Sequence, residues 1–244
     1  EVFAKCGVNI LAKCGVCDGL LFGCETDDIN ALNQMKEESV LQRNAIKENK
    51  HVPTKVLKRY SSNAILAIEY LKAKDELEKP MPFFVMKRNT KYLSEDIYAD
   101  SEYASADAIR KSLFNGSFLD FKNTLPKVMY DELSKALKEN TLINTDDLSL
   151  LLYYKLMESD DHTIYMDCDM DLSNKINKYR DCFTNFFEFA DLLKSKDNTY
   201  SRICRVLMHI VLSITKEDEN RLIRECYAPY IKICGFNEKG RLLL

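Results

Sequence analysis

The sequence has 244 residues, of which 46% are hydrophobic and 30% are charged, and its formal net charge is −3. A chain of this length can bury an apolar core in one large domain or in two small ones. No apolar run reaches the ~18–20 residues that a membrane-spanning helix needs, so we predict neither a transmembrane segment nor a membrane partner. The nearly balanced charge neither supports nor excludes binding to nucleic acid.

The nine cysteines do not form a strong zinc-binding pattern. Cys6, Cys14, Cys17 and Cys24 lie near the start of the chain with one C-x-x-C at 14–17, and the other five are scattered. Structural zinc motifs of this kind usually carry a second C-x-x-C, which is missing here. We therefore predict no metal site and a reduced, cytoplasmic protein.

The first 88 residues follow the order helix, strand, helix, helix, strand. The predicted elements are helix 2–14, strand 16–23, helix 26–50, a helix that opens at Ser61, Ser62 and Asn63, and strand 83–87. Gly15 is suited to end the first helix, and Thr26 or Asp27 to cap the second. This order of elements predicts an α/β domain with a parallel sheet.

Helical segments dominate the rest of the chain. One helix is predicted after Ser105, which serves as its cap, with Asp107 in the first turn and Gly116 as terminator. After Pro126, five successive segments with helical periodicity predict an all-α module from about 122 to 216.

The end of the sequence returns to a strand-like pattern. Residues 230–236, YIKICGF, alternate in the way of a strand and are expected at the edge of the sheet. Taken together, the patterns divide the chain into an α/β domain, residues 1–121, and a helical module with a C-terminal strand, residues 122–244.

Several polar residues and one glycine stand where predicted strands end or helices begin. In doubly wound sheets, ligands bind beyond the carboxyl ends of the strands, where helix N-termini offer free N–H groups. The candidates are Gly23, Asn63, Lys87, Arg88, and Ser105 with Arg110 one turn later. Together they indicate a nucleotide site, with the glycine allowing close approach and the cations suited to phosphates. Each also has a structural explanation: a turn glycine, two helix caps and the solvated end of a strand.

A second group of cations surrounds the start of a helix in the helical module. Lys194, Lys196, Arg202 and Arg205 lie close together in the sequence, and the two arginines share a helix face with His209. With Tyr200 between the cations, this stripe suits a phosphate backbone and a stacked base. The alternative is a solvated helix face with the tyrosine in the core.

Six stretches of the sequence together resemble one family. They are EVFAKCGVNILAKCGVCDGLLFGCETDDI, SNAILAIEYLKA, FFVMKR, YASADAIRKSL, YSRICRVLMHIVLSITKED and YIKICGFNEKGRLLL. In this order they resemble the bacterial tRNA(Met) cytidine acetate ligases. The resemblance implies a Rossmann-like HIGH-type nucleotidyltransferase domain followed by an all-α, RNA-binding module. It also implies a cytoplasmic ligase that uses ATP, with Mg²⁺, to activate acetate as an acetyl-adenylate. The acetyl group then passes to N4 of the wobble cytidine of elongator tRNA(Met).

The resemblance assigns roles to the candidate residues. It implies that Gly23, Asn63 and Arg88 contact ATP, with Lys87 beside them. The sequence SADAIR resembles the Ser/Thr-rich motif that closes over the triphosphate in HIGH-type enzymes. Its matching residues are Ser105 and Arg110, whereas Asp107 stands where a hydroxyl residue is usual. The basic helix at 202–209 is implied to hold the tRNA.

The sequence departs from the family pattern at its start. The family's first strand and helix and its H-x-G-H signature have no counterpart in these residues. The resemblance implies that they precede Glu1, so we expect that this chain alone does not form the acetyl-adenylate. The catalytic residues therefore stay unassigned. Two alternatives remain open: a HIGH-type adenylyltransferase that acts on a small metabolite, and a non-catalytic RNA-binding relative.

Overall fold

The computed structural model describes residues 1–47, 60–88, 104–195 and 198–242. The chain divides into two compact units, one formed by Glu1–Leu133 with Glu225–Leu244 and the other by Ser134–Arg224. These units are defined by contacts within the chain, and their boundary lies beyond residue 122. The division into functional domains at residue 122 stays a prediction.

The first unit contains a parallel pair of strands and most of the long helices. Its elements are α1 (Val2–Cys14), β1 (Leu20–Cys24), α2 (Ile29–Lys47), α3 (Ser62–Asp75), β2 (Phe83–Lys87), α4 (Ala106–Asn115), a 3₁₀ turn (Phe118–Phe121), the first part of α5 (Lys127–Lys138) and, near the chain end, α11 (Glu238–Arg241). The predicted order helix, strand, helix, helix, strand is confirmed, and strand 83–87 has the predicted bounds.

Two predicted boundaries in this unit need correction. The first strand begins at Leu20 rather than residue 16, because Gly15 turns the chain with a φ of 72° and an irregular segment follows. The second helix begins at Ile29, and its cap is Asp28 rather than Thr26 or Asp27. The Asp28 Oδ1 atom accepts hydrogen bonds from the backbone N–H groups of Asn30 and Ala31, at 2.9 and 3.2 Å.

The two strands pair in parallel, with Leu20 opposite Phe83 and Cys24 opposite Lys87. Alternation along the strands turns Phe22 and Phe83 into the apolar core of the unit, where they pack with residues of α1, α2 and α3 such as Val8, Leu32 and Leu71. The opposite face presents three exposed apolar side chains: Leu21, Phe84 and Met86. The α/β class is thus confirmed, with a small parallel sheet in a mostly helical chain.

The second unit is helical in its described residues. Its elements are the last part of α5, a 3₁₀ turn (Thr145–Leu148), α6 (Ser149–Glu158), α7 (Met170–Tyr179), a 3₁₀ turn (Arg180–Cys182), α8 (Phe186–Leu192), α9 (Tyr200–Val211) and α10 (Lys216–Arg224). The five helical segments predicted after Pro126 are therefore confirmed. Helix α9 buries one side, Ile203, Val206, Leu207 and Ile210, against α6, α7 and α8.

The predicted strand at 230–236 is wrong. These residues form no strand, and all seven are exposed, including Tyr230 and Phe236 at 76% and 62%. Alternation predicts a strand only where a neighbouring edge supplies hydrogen-bond partners, and the sheet in the described part of the chain does not reach this segment. Among all the residues that the structure describes, no helix has both the length and the apolar character needed to cross a membrane.

Candidate functional site

Gly23, Lys87 and Arg88 lie together where the two parallel strands end. Gly23 is opposite Met86 in the register, and Lys87 is opposite Cys24. The backbone N–H of Arg88 donates to the Cys24 carbonyl at 2.8 Å, so the pairing continues one residue past β2. A Cβ atom on Gly23 would lie only 3.3 Å from Cγ of Arg88. The glycine thus leaves space for the arginine side chain to lie across the end of β1.

Asn63 lies at the start of α3 and is not its cap. The cap is Ser61, whose Oγ accepts from the backbone N–H of Ala64 at 3.2 Å. The Asn63 amide is instead free to turn toward the end of β1. Its Nδ2 donates to Oε1 of Glu25 at 2.7 Å. The cap explanation for Asn63 is therefore wrong.

Glu25 is the residue of this site that the sequence prediction missed. It follows β1 directly, and its carboxylate accepts from Asn63 and from the hydroxyl of Ser61. It therefore joins the end of β1 to the N-terminus of α3. Its position two residues after Gly23 could have identified it from the sequence. Polar residues that follow a strand of a parallel sheet commonly contribute to a ligand site.

The Glu25 carboxylate stays ionised in this arrangement. Partial burial alone would raise its pKa, but the hydrogen bonds from Ser61 and Asn63 outweigh that effect and hold the pKa of Glu25 below its usual value. The strand ends therefore present one anion bound by neutral groups next to two cationic residues. Such a set can accept hydrogen bonds from the hydroxyl groups of a ribose and donate hydrogen bonds to phosphate oxygens.

Ser105 and Arg110 lie on α4, whose described packing is against the 3₁₀ turn Phe118–Phe121. Ser105 is the buried cap of α4, and its Oγ accepts from the backbone N–H of Ala108 at 3.1 Å. Arg110 is exposed and lies 3.7 Å from Asp107, measured from Nη1 to Oδ1. Asp107 thus neutralises the cation that the sequence assigned to phosphate. The described contacts do not bring this pair to the strand ends.

Arg202 and Arg205, on the exposed side of α9, both bind carboxylates. Nη2 of Arg202 lies 2.7 Å from Oδ2 of Asp169, and Nε of Arg205 lies 2.8 Å from Oδ2 of Asp167. Each arginine on this surface thus already has an acidic partner. The predicted sharing of a helix face is confirmed, but the acidic partners come from 33 and 38 residues earlier in the chain.

The loop that carries these aspartates is held by several further contacts. Asp167 has a left-handed backbone, with a φ of 64°, and Asp169 caps α7 by accepting from the N–H of Leu172 at 2.8 Å. That hydrogen bond, together with the one from Arg202, holds the pKa of Asp169 below its usual value. Nδ1 of His209 lies 2.9 Å from the carbonyl oxygen of Met166. His209 therefore supports this loop, in line with its place on the arginine face.

Lys194 and Tyr200 lie beside the start of α9. Nζ of Lys194 lies 2.8 Å from Oδ1 of Asp191 and 5.6 Å from the centre of the Tyr200 ring. Burial, followed by a hydrogen bond with Cys204, raises the pKa of Tyr200 to about 12, so its phenol is neutral. The ring packs against the helical core, as the structural alternative expected. Lys196, the remaining cation of this group, lies outside the described residues.

No metal-binding cluster is present in the described parts of the chain. Nowhere among them do three His, Cys, Asp or Glu side chains come together in a way that would hold an ion. Cys14 and Cys17 do approach each other, but among the described residues no third His, Cys, Asp or Glu side chain joins them in such a cluster.

The sequence and the fold both match known proteins. The family model for the HIGH nucleotidyl transferases matches residues 1–244. The chain is 30% identical over 271 aligned residues to the tRNA(Met) cytidine acetate ligase of Thermoanaerobacter sp. (strain X514), and 29% identical to that of Bacillus licheniformis. The alignments cover 100% of this chain and 66% and 65% of those relatives. The chain thus spans about two thirds of the length of the curated relatives, and the resemblance noted in the sequence is confirmed.

Two solved structures share the fold. Apo TmcAL from Thermotoga maritima superposes with a TM-score of 0.81 at 21% identity, over 99% of this chain and 63% of that one. The same protein bound to alpha-thio ATP gives a TM-score of 0.79 at 22% identity, with the same coverage. The fold likeness agrees with the match of the family model over the whole sequence. The chain belongs to the HIGH nucleotidyl transferase family.

Proposed function

We propose that this chain forms the ATP-binding and RNA-binding parts of a tRNA(Met) cytidine acetate ligase. In this reaction, acetate attacks ATP to give acetyl-adenylate and pyrophosphate. N4 of the wobble cytidine of elongator tRNA(Met) then attacks the acetyl carbon and releases AMP. The observation that carries the proposal is the cluster at the strand ends, Gly23, Glu25, Asn63, Lys87 and Arg88, in a member of a nucleotidyl transferase family.

The cluster divides naturally between the two ends of ATP. Lys87 and Arg88 are cations fixed at the exit of β2, which suits the triphosphate and the charge that develops on pyrophosphate as it leaves. Gly23 gives close backbone approach, and Asn63 and Glu25 supply an amide and a carboxylate for the nucleoside. We assign Ser105 and Arg110 to the triphosphate as well. Arg110 would then exchange Asp107 for a phosphate.

Mg²⁺ is proposed to arrive with the nucleotide. The ion keeps several waters and commonly binds through substrate phosphates and one or two carboxylates rather than an all-protein cage. The absence of a three-ligand cluster in the described residues fits that mode.

The tRNA is proposed to bind the exposed face of α9. Arg202 and Arg205, with Lys194 and Lys196 before the helix, provide the cations for its phosphates. Because Asp167 and Asp169 already hold the two arginines, each phosphate contact replaces a carboxylate contact. The proposed enzyme works in the cytoplasm, where tRNA, ATP and acetate meet.

The test compares two sets of substitutions by their effects on two ligands. We expect Arg88→Ala to weaken ATP binding about 10- to 100-fold, because a hydrogen bond to a charged group is lost. The same substitution should leave tRNA binding unchanged. Arg202→Ala with Arg205→Ala should weaken tRNA binding and leave ATP binding unchanged. Calorimetry with ATP and filter binding with elongator tRNA(Met) measure the two affinities.

Matched controls remove the same charges elsewhere. Lys79→Ala removes an exposed cation from the first unit, and Arg221→Ala with Arg224→Ala removes two arginines that are paired with acids within α10. Neither control should change either affinity by more than about twofold. An exchange of the two effects, or loss of both ligands in one variant set, would contradict the assignment of sites.

A second comparison tests the RNA partner. Elongator tRNA(Met) should bind more tightly than a tRNA with another anticodon, and its affinity should fall steeply as salt rises. Equal affinity for all tRNAs would favour a general RNA-binding relative. ATP binding without any RNA binding would favour an adenylyltransferase for a small metabolite.

A further inference from the structure

Two of the nine cysteines touch each other at the surface of the first unit. The Sγ atoms of Cys14 and Cys17 lie 3.3 Å apart. Cys14 is the last residue of α1, and Gly15, with its φ of 72°, turns the chain so that Cys17 comes back over the end of the helix. Cys17 is exposed and Cys14 is partly exposed, so a small molecule can reach both sulfur atoms.

We propose that Cys14 and Cys17 form a reversible dithiol site that reacts with low-molecular-weight disulfides such as glutathione disulfide. Neither residue belongs to the proposed ATP and tRNA sites. The sulfur atoms must approach by little more than 1 Å to reach the length of a disulfide bond, which is about 2.05 Å. The segment between them contains a glycine, so it can follow this movement.

A metal ion is the other common ligand of a C-x-x-C pair, and the structure argues against it here. Zinc takes four ligands in structural sites, or three protein ligands in catalytic ones. In the described part of the chain, no group of three His, Cys, Asp or Glu side chains surrounds this pair. Two thiols without further ligands are suited to thiol–disulfide exchange instead.

The two thiols differ in a way that sets the order of the reaction. A hydrogen bond from the backbone N–H of Val16 lowers the pKa of Cys14 below its usual value, whereas the hydrogen bond with Cys14 raises the pKa of Cys17. We assign the first attack to Cys14, whose sulfur accepts the Val16 N–H, and the second to Cys17. The buried Cys168 shows the opposite case, since burial raises its pKa to about 11.

The reaction proceeds in two exchanges. The Cys14 thiolate attacks one sulfur of glutathione disulfide, forms a mixed disulfide and releases one glutathione thiolate. The Cys17 sulfur, after loss of its proton to solvent, attacks Sγ of Cys14 and releases the second glutathione. The protein thus loses two protons and two electrons, and glutathione disulfide takes them up to become two molecules of glutathione. Excess glutathione reverses both steps.

The experiment treats the protein with glutathione disulfide, quenches with acid, alkylates the remaining thiols and maps the products by mass spectrometry. We expect a bond between Cys14 and Cys17, with no glutathione retained on that peptide. Fragment ions separate this product from one that includes Cys24. The bond should form at least about tenfold faster than glutathione adds to Cys182, an exposed single cysteine. Formation at the rate of Cys182, or glutathione retained on both Cys14 and Cys17, would overturn the proposal.

Single substitutions test the order of attack. In Cys17→Ser the mixed disulfide should accumulate on Cys14, because the second thiol is gone. In Cys14→Ser, Cys17 should react no faster than Cys182. If the adduct accumulates in Cys14→Ser and not in Cys17→Ser, the assigned order is wrong. Circular dichroism of each variant checks that α1 is retained, and Cys182→Ser serves as the matched control.

Discussion

The strand ends of the first unit and the arginine face of the second unit hold their carboxylates in different ways. At the strand ends, Glu25 is bound by neutral groups, the hydroxyl of Ser61 and the amide of Asn63. On the arginine face, Asp167 and Asp169 are bound by the guanidinium groups of Arg205 and Arg202. In the first arrangement, the two groups that donate to the carboxylate carry no charge. The second requires that a ligand displace an existing partner, so salt and competing anions should affect it more.

The largest expected effect comes from removing the acids of the arginine face. Asp167→Asn with Asp169→Asn removes two negative charges and frees Arg202 and Arg205 for phosphates. We expect tRNA to bind about 30-fold more tightly at low salt, which corresponds to about 2 kcal/mol of binding free energy. This is the size expected when two exposed ion pairs no longer compete with the phosphates. Filter binding over a range of salt concentrations measures this change.

Asparagine keeps the backbone roles of both aspartates. It tolerates the left-handed conformation at position 167, and it can cap α7 at position 169. Asp181→Asn, an exposed acid in the same unit, is the matched control for charge alone. Unchanged or weaker RNA binding in the double variant would mean that the arginines serve only to hold the loop.

The second effect concerns the neutral groups around Glu25. Ser61→Ala removes the cap of α3 and one hydrogen bond to the carboxylate, so the free energy of unfolding should fall by about 1.5 kcal/mol. The pKa of Glu25 should rise toward its ordinary value. Urea unfolding and a carboxyl NMR titration measure the two changes. Ser62→Ala, one residue further on and exposed, should change neither.

Acid should distinguish the two units. His162 is fully buried in the second unit, and burial lowers its pKa. The unfolded chain therefore binds an extra proton below the ordinary histidine pKa of about 6.5, and stability falls as the pH drops through this range. The lowered pKa of Glu25 affects stability at a lower pH. Its stabilising contribution is fully present above the pKa that the carboxyl group has in the unfolded chain, and it is lost as the pH falls through the pKa in the folded chain.

Urea unfolding at about pH 7.5 and about pH 5.5 measures the histidine effect, which we expect to be smaller than that of Ser61→Ala. His162→Gln removes the titrating ring and should show a weaker dependence on pH over this range. The same dependence in the variant and in the wild type would assign the effect to other groups.

The smallest expected effect tests the contact between the two strand ends. Gly23→Ala places a methyl group 3.3 Å from Cγ of Arg88, and the flexible side chain must shift. Because this glycine does not have a left-handed backbone, we expect little change in stability and about a threefold loss of ATP affinity, or about 0.7 kcal/mol. In an Arg88→Ala background the loss should be smaller, because the part that arises from the contact with Arg88 is gone. An equal loss in both backgrounds would show that Gly23 acts on ATP independently of Arg88.

Local features were predictable from the sequence, and partners distant in the chain were not. The Ser105 cap, the Gly15 terminator and strand 83–87 depend on a few adjacent residues, and the structure confirms them. The sequence left two roles open for Asn63, a ligand contact and a helix cap, because its hydrogen bond to Glu25, 38 residues away, could not be predicted from spacing.

The same limit applies to the cations and to the last predicted strand. The positions of Arg202 and Arg205 on one face follow from helical periodicity. Their pairing with Asp167 and Asp169 depends on how an intervening loop folds back. Segment 230–236 has a strand pattern, but a strand needs a partner edge that no local pattern can reveal.

The parallel pairing of β1 and β2 also affects how the molecule folds. Leu20 and Phe83 are 63 residues apart in sequence (83 minus 20), and two helices lie between their strands. Pairing over such a separation requires a long loop to close, which costs conformational entropy. The strand-end cluster forms only when these two distant strands have paired. On a ribosome, α1, α2 and α3 would be synthesised before Arg88, the last residue of the strand-end cluster, leaves the exit tunnel.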